Sequence, residues 1–345
     1  IKFSQKDIDF ICHFVEEKVE ELGMHEIQIP EMHNIVEGAL EKVNPIVAKS
    51  YRDYRNYKQD FVQMLDEVYK KSQSIMYIGD KENSNTDSAL VSTKRSLIFN
   101  ELNKELYKKF FLTVEELQAI REGYIYIHDM SARRDTMNCC LFDVKSVLTG
   151  GFEMGNLWYN EPKTLDTAFD VIGDIVLSAA SQQYGGFTVP SVDEILEPYA
   201  KRSHENHLNK YRSLGLSEEV AQEIAWKDLE KEMEQGFQGW EYKFNSVSSS
   251  RGDYPFITMT SGTDISEYGK LVTKTMLEVR AGGQGKPGHK KPVLFPKIVF
   301  LYDENLHGPG KPGEDLFEAG IECSRKTMYP DWLSLTGKGY VPSIY

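Results

Sequence analysis

Tyr126-Ile127-His128-Asp129 is followed, ten residues after His128, by Asn138-Cys139-Cys140-Leu141. A His-Asp pair closes one element, and an Asn-Cys-Cys step opens the apolar stretch Leu141, Phe142 and Val144. Cysteine is scarce, four in 345 residues, so two adjacent thiols at a strand entrance need a reason. Neighbouring cysteines cannot bridge each other without severe strain. Their side chains leave a strand on opposite faces, so at most one faces a given cavity. Taken alone, the pair reads as two buried thiols, because free cysteine behaves as a small hydrophobe.

On both sides of this stretch the apolar spacing predicts mostly long helices. Ile8, Ile11, Cys12, Val15, Val19 and Leu22 recur at helical period over 4–22, with Ser4 as N-cap and Gly23 as the stop. Pro30 opens a second helix, with Met32, Ile35, Val36, Ala39 and Leu40 on its inner face. Residues 45–57 and 58–75 are expected as two further helices, and 79–85 as a polar loop. Helices follow around 92–110 and 113–122, the latter opened by the capping-box sequence Thr113-Val114-Glu115-Glu116. Strand-like runs at 124–128, 139–144, 256–260 and 294–301 alternate with helices near 165–182, 191–211, 217–243, 264–282 and 313–327. The pattern is α/β.

A net charge of −13 argues against a nucleic-acid groove, which needs a clustered positive surface. It leaves nucleotide binding open, since that takes a few local cations and backbone amides. No apolar run approaches membrane-spanning length and no signal-like segment opens the chain. Few cysteines without framework spacing indicate a reducing compartment, so the cytoplasm is expected. His204/His207 and His25/His33 lack the further ligands of a structural zinc, and no metal is expected in this chain. The segment 281–292 is rich in glycine and lysine but lacks the G-x-x-x-x-G-K-[ST] spacing, and reads as a mobile basic loop before a strand at 293.

Further motifs stand in a fixed order: Ser181-Gln182-Gln183-Tyr184-Gly185-Gly186-Phe187-Thr188 with Val192-Asp193-Glu194, then Asn245-Ser246-Val247 with Tyr254-Pro255-Phe256-Ile257-Thr258. Leu294-Phe295-Pro296-Lys297-Ile298-Val299-Phe300, Glu322-Cys323-Ser324-Arg325-Lys326 and Met328-Tyr329-Pro330-Asp331 complete the series. In this order and at these distances, from about Asp87 to Asp331, the chain resembles the anaerobic (class III) ribonucleotide reductases, which are glycyl-radical enzymes. Residues 29–32 and 48–55 resemble the closing helices of an ATP-cone, the regulatory domain at the front of many such enzymes.

The resemblance implies the organisation and the chemistry. Residues 1–57 would be the C-terminal part of an ATP-cone, 58–86 a connecting helix and linker, and 87–345 the first half of a ten-stranded α/β barrel. The activity implied is reduction of ribonucleoside triphosphates by a glycyl/thiyl radical route, with ATP/dATP and dNTP as allosteric effectors and formate as reductant. A radical-SAM activase and a second copy of the chain are the implied partners. The reducing-side cysteine of the family directly follows an asparagine, which assigns it to Cys139 and leaves Cys140 to packing. Asn138 suits a sugar hydroxyl because its amide both donates and accepts; a strand-end cap is the equal alternative.

His128 is a candidate proton shuttle, against a simple capped turn. Arg133-Arg134-Asp135 replaces an aromatic-rich stretch of relatives, and the two arginines could bind nucleotide phosphate. Gly185-Gly186 permits left-handed backbone or close approach to another chain. Residues 246–253 are a candidate wall of the substrate pocket. Lys163 and Gln182 are candidate effector contacts at a dimer interface, and Lys49, Tyr54 and Arg55 candidate nucleotide contacts of the cone, each also readable as solvated surface. The family's thiyl-forming Met-Gly-Cys-Arg step, its radical glycine and its zinc site would lie beyond Tyr345, so this chain by itself is expected to be inactive. A pyruvate formate-lyase-type enzyme and a non-catalytic ATP-cone regulator are the competing readings.

Overall fold

The computed structural model describes residues 3–23, 26–78, 89–134, 137–249 and 252–336. The loop expected over 79–85, His25, Asp135, Ser250, Arg251 and the segment after Thr336 lie outside the described residues. The chain divides into two compact units, Ile1–Ser74 and Ile75–Tyr345.

The first unit is helical. α1 (Gln5–Leu22) opens on a capping box between Ser4 and Asp7 and stops at Gly23, whose φ of +57° suits glycine. α2 (Ile29–Val43) carries Pro30 in its first turn, where a missing N–H costs nothing. Asn44 ends α2 and begins α3 (Pro45–Ile78), its Oδ1 accepting from the N–H groups of Ile46 (3.1 Å) and Val47 (3.3 Å). The two helices expected over 45–57 and 58–75 are therefore one. Ala39 on α2 and Ala48 on α3 are fully buried. Glu37 on α2 ties down two arginines of α3, Arg52 and Arg55.

The second unit begins with α4 (Val91–Phe111) and α5 (Val114–Arg121), the latter started by the expected box of Thr113 and Glu116. Then come β1 (Cys140–Leu141), α6 (Val144–Leu148) and a hairpin of β2 (Phe152–Met154) and β3 (Leu157–Tyr159). α7 (Leu165–Ala180), β4 (Phe187–Val189), α8 (Val192–Ser213), α9 (Glu218–Ser246) and β5 (Ile257–Ser261) follow. The unit continues with α10 (Glu267–Gly282), β6 (Lys297–Tyr302), α11 (Glu304–His307), α12 (Glu314–Thr327) and β7 (Asp331–Ser334).

Five strands form one all-parallel sheet in the order β1-β4-β5-β6-β7. β4 and β5 are buried at every position, as strands of a sheet covered on both faces must be. The core joins Phe187, Ile257, Met259, Ile298 and Phe300 of the sheet to apolar faces of α7, α8, α9, α10 and α12. A buried ion pair, Arg280 Nε to Glu241 Oε1 at 2.7 Å, locks α10 to α9, and the same guanidinium donates to Pro296 O at 2.7 Å.

Several sequence expectations change. Residues 124–128 are not a strand but an irregular segment entering a turn. The run at 139–144 is a two-residue strand that gives way to α6, capped by Asp143. The strand expected from 294 starts at Lys297, after a proline that has no N–H for the ladder. The basic segment after α10 is a closed turn, with Gln284 and Lys291 exchanging backbone hydrogen bonds of 2.8 and 2.9 Å.

Candidate active site

β1 and β4 pair in the register Cys140↔Phe187 and Leu141↔Thr188, and just before them Met137 bridges Gln183. Between these two fixed points Asn138 and Cys139 face three residues, Tyr184, Gly185 and Gly186, so the longer side forms a bulge. Backbone hydrogen bonds close it: Tyr184 N–H to Met137 O (3.0 Å), Gly185 N–H to Asn138 O (2.6 Å) and Cys140 N–H to Gly186 O (3.1 Å). Asn138 and Cys139 both crowd Gly185, where an added Cβ would lie 2.5 Å from Asn138 Oδ1 and 2.7 Å from Cys139 Sγ. The glycine is required for space, and the close approach is to a segment of the same chain.

The two thiols have different surroundings. Cys139 Sγ accepts the N–H of Gly186 at 3.3 Å. Cys140 Sγ donates to Gln183 Oε1 at 2.8 Å. Burial, with a smaller contribution from neighbouring Cys139, pushes the Cys140 thiol up, so it keeps its proton at neutral pH.

Asn138 opens onto a cavity of about 330 Å³ lined also by Asp129, Ala132, Arg133 and Tyr184. It therefore brings together a carboxylate, a cation, an amide and a phenol. Asp129, at a φ of +51°, takes a left-handed turn that aspartate tolerates better than most residues. His128 does not line the cavity; its side chain is 75% exposed and its Nδ1 lies 2.5 Å from Asp129 Oδ2. The histidine thus reaches the cavity only through its neighbour. Arg134 lines a separate recess with Asn103 and Tyr107, so the two arginines do not act together. On the other side of Tyr184, Ser249, Asp253 and Tyr254 line a small recess of about 50 Å³ with Gln183 and Gly185.

The chain matches the family "Anaerobic ribonucleoside-triphosphate reductase" at residues 82–343, and it matches "ATP cone domain" at residues 2–60. The chain belongs to the anaerobic ribonucleoside-triphosphate reductase family. It is 32% identical to the anaerobic ribonucleoside-triphosphate reductase of Haemophilus influenzae over 338 residues, covering 94% of this chain and 47% of that protein. It is 34% identical to that of Enterobacteria phage T4 over 257 residues, covering 73% of this chain and 42% of that protein. The chain thus spans less than half the length of these reductases. In fold it is similar to the anaerobic ribonucleotide reductase of Thermotoga maritima, with a TM-score of 0.54 at 16% identity, covering 83% of this chain and 55% of that one.

The other residues marked for nucleotide binding are dispersed. Lys163 and Gln182 are exposed at opposite ends of α7. Its 16 residues separate them by about 24 Å, at about 1.5 Å per residue. One small ligand cannot touch both within a single chain. In the cone-like unit Lys49 and Tyr54 are exposed, whereas Arg55 is half-buried and held by Asn34 Oδ1 and Glu37 Oε2, each at 3.0 Å. The three do not present one free face. His204 and His207 are absorbed by Tyr268 and Glu232, each at 2.9 Å. Among the described residues no group of three or more His, Cys, Asp or Glu is gathered to hold a metal ion.

Gln183 was not singled out by sequence reasoning, which chose its exposed neighbour Gln182. The available signal was position: of two adjacent glutamines at a helix exit, the second precedes Tyr184-Gly185-Gly186 and faces Met137.

Proposed function

We propose that the protein reduces ribonucleoside triphosphates to 2′-deoxyribonucleoside triphosphates by a glycyl/thiyl radical route, for DNA synthesis under nucleotide control. The observation that carries this reading is the bulged pairing that sets Asn138 and Cys139 together on Gly185, with Asn138 at the mouth of a polar cavity. In this reading the substrate sugar lies at Asn138, whose amide orients a hydroxyl by donating and accepting. Cys139 supplies a hydrogen atom on the reducing side, a task that the weak S–H bond suits better than a serine O–H. Asp129, backed by His128, handles protons next to the sugar, and Arg133 meets the phosphates. The thiyl-forming cysteine, the radical glycine and a zinc site belong to the length of the relatives that this chain does not span.

The same reading assigns formate as the reductant and a radical-SAM activase as the source of the glycyl radical, in the cytoplasm. It takes ATP or dATP to act on the cone-like unit, near Lys49, Tyr54 and Arg55. A dNTP effector would bind between two copies of the chain, which lets Lys163 of one copy and Gln182 of the other meet despite their separation within each. In this reading the chain divides into cone, linker and half-barrel at residues 57 and 86. Neither a pyruvate formate-lyase-type enzyme nor a free-standing regulator accounts for the family match over residues 82–343.

The test is Cys139→Ala in the intact, activated enzyme. Deoxynucleotide formation should be lost while the glycyl radical signal in electron paramagnetic resonance is kept. A normal yield of deoxynucleotide from this variant refutes the assignment.

A further inference from the structure

We propose that Gln183 is a positioning residue that divides the two adjacent thiols into separate roles, holding Cys140 as a fixed S–H donor and leaving Cys139 as the thiol that reacts. The division rests on geometry alone; only the identity of the reaction at Cys139 rests on the function proposed above.

Gln183 is 4% exposed, so its amide has to find partners inside the protein. Its Nε2 lies 3.2 Å from Gly185 O and 2.7 Å from Gly186 O. Two carbonyls on one side of the amide require the NH2 group there, because two facing oxygens would repel. Oε1 must then face Cys140 Sγ, at 2.8 Å, where it takes the thiol hydrogen.

The second half of the device is a single peptide plane. Gly185 O and the N–H of Gly186 belong to one planar trans unit, so they point in opposite directions. Gln183 grips the oxygen, and the N–H on the far side meets Cys139 Sγ at 3.3 Å. Holding one end of the plane aims the other. Cys139 thereby accepts a hydrogen bond, and its own S–H has no acceptor among the described residues, whereas the hydrogen of Cys140 is spent on Gln183.

The test is anaerobic alkylation of the fully reduced, full-length protein with iodoacetamide, followed by peptide mass spectrometry of the two sites. Cys139 should react about tenfold or more faster than Cys140, and in Gln183→Leu the two rates should converge to within about twofold. Gln183→Glu gives a second, reversible measurement. Its carboxylate still accepts from Cys140 but repels both glycine carbonyls, and protonation restores a donor to them. The selectivity of Gln183→Glu should therefore recover as pH falls, while that of Gln183→Leu stays flat, a contrast that simple loss of packing does not produce.

An unchanged ratio in a folded Gln183→Leu, a faster Cys140 in the wild type, or a pH-independent ratio in Gln183→Glu each overturns the proposal. Should the leucine variant fail to fold, the glutamate variant decides. Deoxynucleotide yields from the same wild-type preparation separate the two readings. Selectivity without any reduction sinks the proposed function and leaves the thiol division standing; reduction with no effect of Gln183 on selectivity does the reverse.

Discussion

Asp193 stands at the start of α8 with Oδ2 held by the N–H groups of Gly262 (2.8 Å) and Asp264 (2.9 Å), while Oδ1 is buried without a hydrogen-bond partner among the described residues. On the other side of Gly262, His307 Nε2 lies 2.7 Å from its carbonyl oxygen. The exit of β5 is thus clamped from two elements. Burial outweighs the two donors and pushes the Asp193 carboxyl from 3.8 up to about 6. A folded-state value above the unfolded one means that the folded protein holds this proton more tightly. The associated stability is complete below about pH 4 and is lost as pH rises through about 6. Asp193→Asn keeps an acceptor for both amides and carries no charge. It should flatten the pH 4–6 part of the stability profile and raise stability at pH 7 by on the order of 1 to 3 kcal/mol. Urea melts across that range decide it, and equal slopes in the two proteins would refute it. Asp193 was visible in the sequence as part of a motif, yet its role was not, because its partners lie about 70 residues away.

Among the elements, α9 shows how two glycines of one helix can have opposite effects. A Cβ on Gly236 would lie 2.2 Å from the Phe169 ring of α7, whereas a Cβ on Gly239 would meet nothing within 4 Å. Alanine in a helix interior gains up to about 1 kcal/mol over glycine, but forcing a packed ring aside costs about 1 to 3 kcal/mol. Gly236→Ala should therefore lower the melting temperature and Gly239→Ala raise it. Thermal unfolding of the pair checks this, and stabilisation by both would show that α7 and α9 do not pack at Gly236. The long helices were legible in the sequence because many turns of apolar period add up, as in α1, α9 and α10. β5 and β6 were legible as well, from the runs at 256–260 and 294–301, whereas β4 and β7 were missed and β1 was drawn too long, since these three have two to four residues, too few for period-two alternation, and β4 is buried on both faces. At the candidate site, Asn138 and Cys139 were picked out from residue type and resemblance, and the structure brings them together at Gly185. The bulge opposite them was not, because register belongs to two segments at once.

For the whole molecule the open question is what meets the margins of the sheet. Among the described residues β1 and β7 each pair on one side only, and Trp332 in β7 is 38% exposed. Unpaired strand margins template association, so the 345-residue chain produced alone should self-associate at micromolar concentration. A monodisperse monomer in size-exclusion chromatography with light scattering would refute this. The sheet order β1-β4-β5-β6-β7 is also the order of synthesis. Among the described residues no later strand of this sheet has to be inserted between two earlier ones. As the polypeptide leaves the ribosome, each new strand and its helix can dock onto the margin left by the previous one, and the bulge of Asn138 and Cys139 against Tyr184–Gly186 can close before β5 exists. The candidate catalytic thiol is therefore in place early, and everything added afterwards is laid against a site already formed.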